Sequence, residues 1–164
     1  LENFVKSLLI TFRYIQNLNV IVIDATKTLE INKELFQFVV DNKGKDKIVL
    51  ITDCMRAGCM PDGEYDLGGQ TVYVKDNSAR IANGSLAGSV LTLNKAVYNF
   101  KKSTNLNIYE AINLASLNPA KSIKVDDKKG SLEIGKDADI AIFNEDMHCL
   151  ATIVEGDIIY NKLN

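Results

Sequence analysis

Residues 48–51, IVLI, are apolar at every position, and the run ends abruptly in Thr52 and Asp53. A strand with no polar alternation is covered on both faces, which is the habit of parallel sheets whose crossover helices lie against each side. The upstream sequence supplies the rest of such a unit. Residues 20–24 (VIVID) are a second β-branched run, and residues 34–41 (ELFQFVVD) space their apolar positions as a helix that Asn32 caps and Gly44 stops. Strand, helix and strand in this order make a βαβ unit with a right-handed crossover. Functional groups in such units gather at the carboxyl ends of the parallel strands, where the loops face a common crevice. Asp53 stands at one of those ends. Aspartate also starts turns and helices, so spacing alone leaves a capping role and a functional role equally open.

Beyond Asp53 the pattern changes. Gly68-Gly69, Asp76-Asn77 and Asn83-Gly84 punctuate short alternating runs such as Thr71-Val72-Tyr73-Val74, which predicts a β-hairpin excursion over about 63–84. Val90, Leu93, Val97 and Phe100 then recur at helical spacing, giving an amphipathic helix over about 89–102. A second helix starts at Asn107 with Glu110 three residues on, the order of a capping box. Asn118-Pro119 breaks it and restarts a short helical turn with Pro at its first position. Residues 138–143 (ADIAIF) and 152–160 (TIVEGDIIY) read as strands, the latter folding into a hairpin about Glu155-Gly156. The chain thus divides into 1–125, a βα part, and 126–164, a β part. Residues 1–19 are expected to form a short helix, since Lys6 and Arg13 interrupt the apolar run of a secretory leader.

Composition narrows the function classes. The 164 residues carry a net charge of −2 with both signs scattered along the chain, which offers neither the basic stripe that tracks phosphate backbones nor a basic amphipathic face for lipid. Nucleic acid and membrane partners are not expected, and no segment approaches the roughly 18 continuous apolar residues of a membrane span. Cys54, Cys59 and Cys149 lack the spacing of a disulfide framework or zinc ribbon; they fit a reducing, cytoplasmic setting and are expected as small packing residues. The single His, His148, lies in a polar loop without a second His nearby. A catalytic zinc usually takes three protein ligands, and no metal-ligand set is expected from this chain. Ser85-Leu86-Ala87-Gly88-Ser89, just before the helix expected at 89, can present backbone N–H groups to an anion or a sugar hydroxyl, or can simply cap that helix. There is no P-loop, no GxGxxG and no GxSxG, so nucleotide binding and serine hydrolysis lack support.

Several segments occur together in a recognisable order: DKIVLITDCM at 46–55, PDGEYDLGG at 61–69, NGSLAGS at 83–89, ASLNPA at 115–120 and GKDAD at 135–139. Together they resemble the C-terminal half of N-acetylglucosamine-6-phosphate deacetylases of the amidohydrolase superfamily, over about 32–164. The resemblance implies an α/β fold: the C-terminal part of a metal-dependent (β/α)8 barrel plus part of a small β-sandwich domain. It implies metal-assisted hydrolysis of an amide, giving glucosamine 6-phosphate and acetate. It assigns Asp53 as the residue that deprotonates the metal-bound water and then protonates the departing amine. It assigns Leu86, Ala87 and Gly88 to the loop that closes over the sugar.

The departures are as informative. The family's metal ligands, a Glu and two His, lie upstream of the matching region and have no counterpart here. Where the family carries a DGxHV-type segment, this chain reads Thr28-Leu29-Glu30-Ile31, with Glu30 near the His position. A closed barrel takes roughly 250 residues. The expectations are therefore a deacetylase-derived segment inactive by itself, with the parent family's zinc, iron or manganese not bound by this chain. The substrate expected of the parent is an amino-sugar phosphate. The alternative is a non-enzymatic assembly module completed by self-association, as a homo-oligomer, or by an upstream half, since open strand edges invite pairing.

Overall fold

The structure, a computed structural model, describes residues 21–24 and 34–163. The expected N-terminal helix, the Asn32 cap and Glu30 lie outside them. The βαβ unit is present: β1 (Ile21–Asp24) runs parallel to β2 (Ile48–Ile51), Ile21 facing Ile48 and Asp24 facing Ile51. Helix α1 (Glu34–Lys43) crosses between them and stops at Gly44, whose φ of 82° is left-handed and whose N–H closes on the Val40 carbonyl at 2.9 Å. A short 3-10 turn, Lys45–Lys47, leads into β2.

Ile48, Val49 and Leu50 are buried, as an uninterrupted apolar strand requires. Ile48 and Leu50 are covered by Phe36 of α1, by Val97 and Phe100 of α2 (Leu93–Lys102), and by Ala111 of α3 (Ile108–Asn113) together with Leu114 just beyond it. Phe36 and Phe100 meet at 5.1 Å between ring centroids with planes tilted by 57°, a favourable aromatic geometry. Helix α3 starts with the expected capping box: Asn107 accepts from the Glu110 N–H and Glu110 accepts from the Asn107 N–H.

The edge of β2 away from β1 is met by irregular backbone: the Leu50 N–H donates to the Leu114 carbonyl at 2.8 Å. Asn118, buried in α4 (Leu117–Ser122), sends its side-chain amide to the carbonyls of Lys45 and Ile48 at 2.8 and 2.7 Å. Pro119 stands at the third residue of α4 rather than the first; within the first turn its missing N–H breaks no helical bond.

Residues 63–88 form one antiparallel meander, β3 (Gly63–Leu67), β4 (Gln70–Lys75), β5 (Ser78–Arg80) and β6 (Leu86–Gly88), longer by a strand than the excursion expected to end at 84. Gly68-Gly69 and Asp76-Asn77 turn with both residues at positive φ, the primed geometry that matches strand twist. Val72 and Val74 alternate inward against Met55, Ala57 and Ala79, a second apolar cluster. Residues 140–161 form a separate three-stranded antiparallel sheet, β7 (Ile140–Phe143), β8 (Cys149–Val154) and β9 (Asp157–Asn161), with Glu155-Gly156 turning the last hairpin as expected.

The GKDAD segment braces that hairpin. Asp139 accepts the Glu155 N–H at 2.9 Å, and Lys129 bridges Asp137 and Asp139 at 2.9 and 2.5 Å. Among the described residues no helix is long and apolar enough to cross a membrane.

Candidate active site

Strand β2 ends because Asp53 takes a left-handed φ of 44°. Aspartate tolerates that region better than most residues, and the turn it makes redirects the chain away from β1. Cys54 then forms a parallel bridge with Ser89, and the Met55 N–H donates to the Ser89 carbonyl at 2.9 Å. The end of the parallel pair is thereby stitched to the residue just after β6.

This stitch brings the sequence-expected site residues together. Asp53, Leu86, Ala87 and Gly88 line one open cleft of about 1140 Å³, roofed on its far side by the β7–β8 loop. The Asp53 carboxylate is exposed and accepts no hydrogen bond from a described residue. Leu86 is half exposed, whereas Gly88 is packed so closely that an added Cβ would lie 3.2 Å from the Met55 sulfur. Arg80 also lines the cleft, but its guanidinium folds back to donate to the Gly84 carbonyl at 2.7 Å.

Several expectations are corrected here. Leu86–Gly88 is a strand paired with β5, not a loop leading directly into a helix, so the segment presents one ladder edge rather than a helix N-terminus. The helix starts at Leu93 instead of about 89: the Cys54 bridge holds Ser89 extended, the Ser89 hydroxyl accepts the Leu91 N–H at 3.1 Å, and Thr92 remains extended as N-cap. Cys54 and Cys59 are exposed rather than packed in a core, and Cys149 is half-buried. His148 is an exposed loop residue on the cleft wall, as expected.

Asp53, Asp146, His148 and Cys149 all line the cleft, yet no three of the described His, Cys, Asp and Glu side chains converge on a point where an ion could sit. The donor set does not fit a metal ion.

Sequence reasoning missed two residues that build this arrangement. Ser89 carries the stitch, and Asn118 holds the start of β2 in place. Neither has a local signature, since each acts on chain remote in sequence.

The sequence profile of the amidohydrolase family matches residues 22–159. The chain is similar to the N-acetylglucosamine-6-phosphate deacetylase of Lysinibacillus sphaericus, with 48% identity over 116 residues, 71% of this chain and 30% of that protein. Its fold is similar to the crystal structure of N-acetylglucosamine-6-phosphate deacetylase from Thermotoga maritima, with a TM-score of 0.75 at 32% identity, covering 88% of this chain and 40% of that one. It is similar also to the deacetylase structure from Pasteurella multocida, with a TM-score of 0.80 at 29% identity, covering 90% and 38%. The chain thus spans less than a third of the Lysinibacillus protein. A profile match over most of its length, on the strand and site geometry above, makes this chain a member of the amidohydrolase family.

Proposed function

We propose that this chain supplies the acid–base and sugar-facing part of an N-acetylglucosamine-6-phosphate deacetylase. The reading is supported by one observation above the others, the cleft that Asp53 shares with Leu86, Ala87 and Gly88. In this reading the amino sugar lies along β6. Asp53 takes a proton from the attacking water and returns it to the amide nitrogen as the C–N bond breaks, releasing acetate and the free amine. One carboxylate suits both tasks because it is ionised before the first transfer and protonated before the second.

Amidohydrolases generally work with a divalent metal. The described residues here do not fit one and the whole sequence holds a single His, so in this reading the ligands for zinc, iron or manganese come from an upstream segment and the chain alone is inactive. Residues 1–125 then correspond to a partial (β/α) barrel segment with its β excursion, and 126–164 to part of a β-sandwich, in a cytoplasmic protein.

The test is deacetylation of N-acetylglucosamine 6-phosphate by the chain alone, and again after mixing with the upstream part of a homologous deacetylase. The expected result is turnover only in the mixture, falling at least about 100-fold with Asp53→Asn. Turnover that survives this substitution within a few-fold overturns the assignment of Asp53. A second reading, an assembly module without activity, is favoured by β9, where Ile158 and Ile159 point to opposite faces and are 65% and 67% exposed. Inactive mixtures together with a stable homodimer in sedimentation would establish it instead.

A further inference from the structure

Two of the three cysteines sit in one short loop directly after Asp53. The loop is wound by two tight turns, in which the Gly58 N–H donates to the Met55 carbonyl at 2.9 Å and the Met60 N–H to the Ala57 carbonyl at 3.1 Å. The Cys54 side chain lies back across this loop. A Cβ built on Gly58 would fall 2.2 Å from the Cys54 sulfur, so the thiol occupies the very space that a side chain at 58 would need. A side chain at 58 would make the thiol turn aside, a small adjustment for the tip of a flexible side chain. The next residue is Cys59, exposed and held at a left-handed φ of 64°. Since adjacent Cα atoms are about 3.8 Å apart, the Cys54 sulfur lies no more than roughly 7 to 8 Å from the Cys59 Cα, so bringing the two sulfurs together takes rotation of both side chains and a tightening of the exposed loop.

The chemistry of the two thiols differs. Contact with the loop backbone partly desolvates the Cys54 thiol, and the neighbouring Cys59 adds to this; both effects raise its pKa. Both residues are exposed, and the Cys54 thiol rests against the loop at Gly58.

We propose that Cys54 and Cys59 form a peroxide-responsive dithiol site that closes a disulfide across the 54–59 loop. The Cys59 thiolate attacks hydrogen peroxide, breaking the O–O bond to give a sulfenic acid and hydroxide, which the thiol proton converts to water. Cys54 then loses its proton and displaces hydroxide from the Cys59 sulfur, forming the S–S bond and a second water. Two thiols are oxidised by two electrons and one peroxide is reduced, so no other reactant is needed. The site stands independently of the deacetylase reading.

The experiment is a thiol count and peptide mass map of the reduced, full chain before and after stoichiometric hydrogen peroxide, read under denaturing conditions. The count should fall from three to one, with Cys149 the survivor, in a monomer whose mass falls by two hydrogens. In Cys149→Ser the count should fall from two to none. In Cys59→Ser no intrachain bond should form, and circular dichroism checks that this exposed substitution leaves the fold intact. Peroxide that leaves all three thiols titratable, that oxidises Cys54 and Cys59 separately to higher acids, or that joins either to Cys149 or to another chain overturns the proposal. If Cys59→Ser does not fold, the mass map of the unsubstituted chain decides.

Discussion

Replacing Asn118 by Ala probes the joint that aligns β2. The amide of Asn118 donates to the carbonyls of Lys45 and Ile48, and the residue is 6% exposed. Lys45 borders solvent, so its carbonyl regains a water partner, while the carbonyl of the fully buried Ile48 does not. Two hydrogen bonds at about 1 kcal/mol each, plus about 1 kcal/mol for the stranded carbonyl, give a loss of about 2–3 kcal/mol. With a urea m-value of about 2 kcal/mol/M for a chain of this size, the unfolding midpoint should fall by about 1–1.5 M. Asn118→Asp separates hydrogen bonding from volume. The carboxylate keeps the shape but offers two acceptors to two acceptors, so near neutral pH it should be less stable than the Ala variant. In acid, protonation restores one donor, and the order of the two variants should reverse. A shift below about 0.3 M for Asn118→Ala, or Ala and Asp variants in the same order at every pH, would refute the claim that this amide holds the strand.

Gly130 has a φ of 91°, and a Cβ there would lie 2.8 Å from the Ala120 Cβ and 3.0 Å from the Leu117 Cα. Gly130→Ala should therefore cost about 2 kcal/mol or more in chemical denaturation. Asn107→Ala removes the capping box of α3 and should cost about 1 kcal/mol by the same assay. The Asp139 carboxyl is held below its ordinary value of 3.8, first by the Lys129 hydrogen bond and then by the Glu155 N–H. A depressed carboxylate stabilises the fold above its ordinary value and loses that contribution as pH falls through the folded one. Asp139→Asn should thus be less stable than the parent at neutral pH, with the difference vanishing as urea midpoints are followed into acid. Lys129 is raised by the same contacts, so its share is complete below 10.5 and is lost as pH rises through the higher folded value.

Local signals carried far in this chain. Gly68-Gly69 turns where glycine allows φ above zero, Gly156 does the same beside Glu155 in the last hairpin, and the Asn107 and Glu110 pair caps its helix as written. The all-apolar 48–51 run predicted a strand covered on both faces, and its first three residues are buried. What failed was non-local. Val90 is in phase with Leu93, Val97 and Phe100, which extends the apparent helix, but the bridge from Cys54 to Ser89 holds that stretch extended. Periodicity reports which face is apolar and is blind to a backbone pairing made elsewhere. Cys54 looked like packing because cysteine is so often buried; its thiol does lie against protein, but against a glycine in a surface loop. The cleft itself was not legible from spacing, since it exists only once residues 53–55 and 86–89 are joined.

The anchoring of β2 also has a consequence for biosynthesis. The bond from Asn118 to Ile48 spans 70 residues. At an elongation rate of about 5–20 residues per second, a ribosome needs several seconds after completing β2 to make the residue that secures it. During that interval the 63–88 meander, whose pairings are all between neighbouring strands, can already close. The apolar faces of Ile48 and Leu50 meanwhile lack Phe100, Leu106 and Leu114, which have yet to be made. The nascent chain therefore passes through a stage with an ordered surface layer and an unclad strand, when holdase chaperones have most to bind and slow translation between residues 51 and 118 would prolong the exposure.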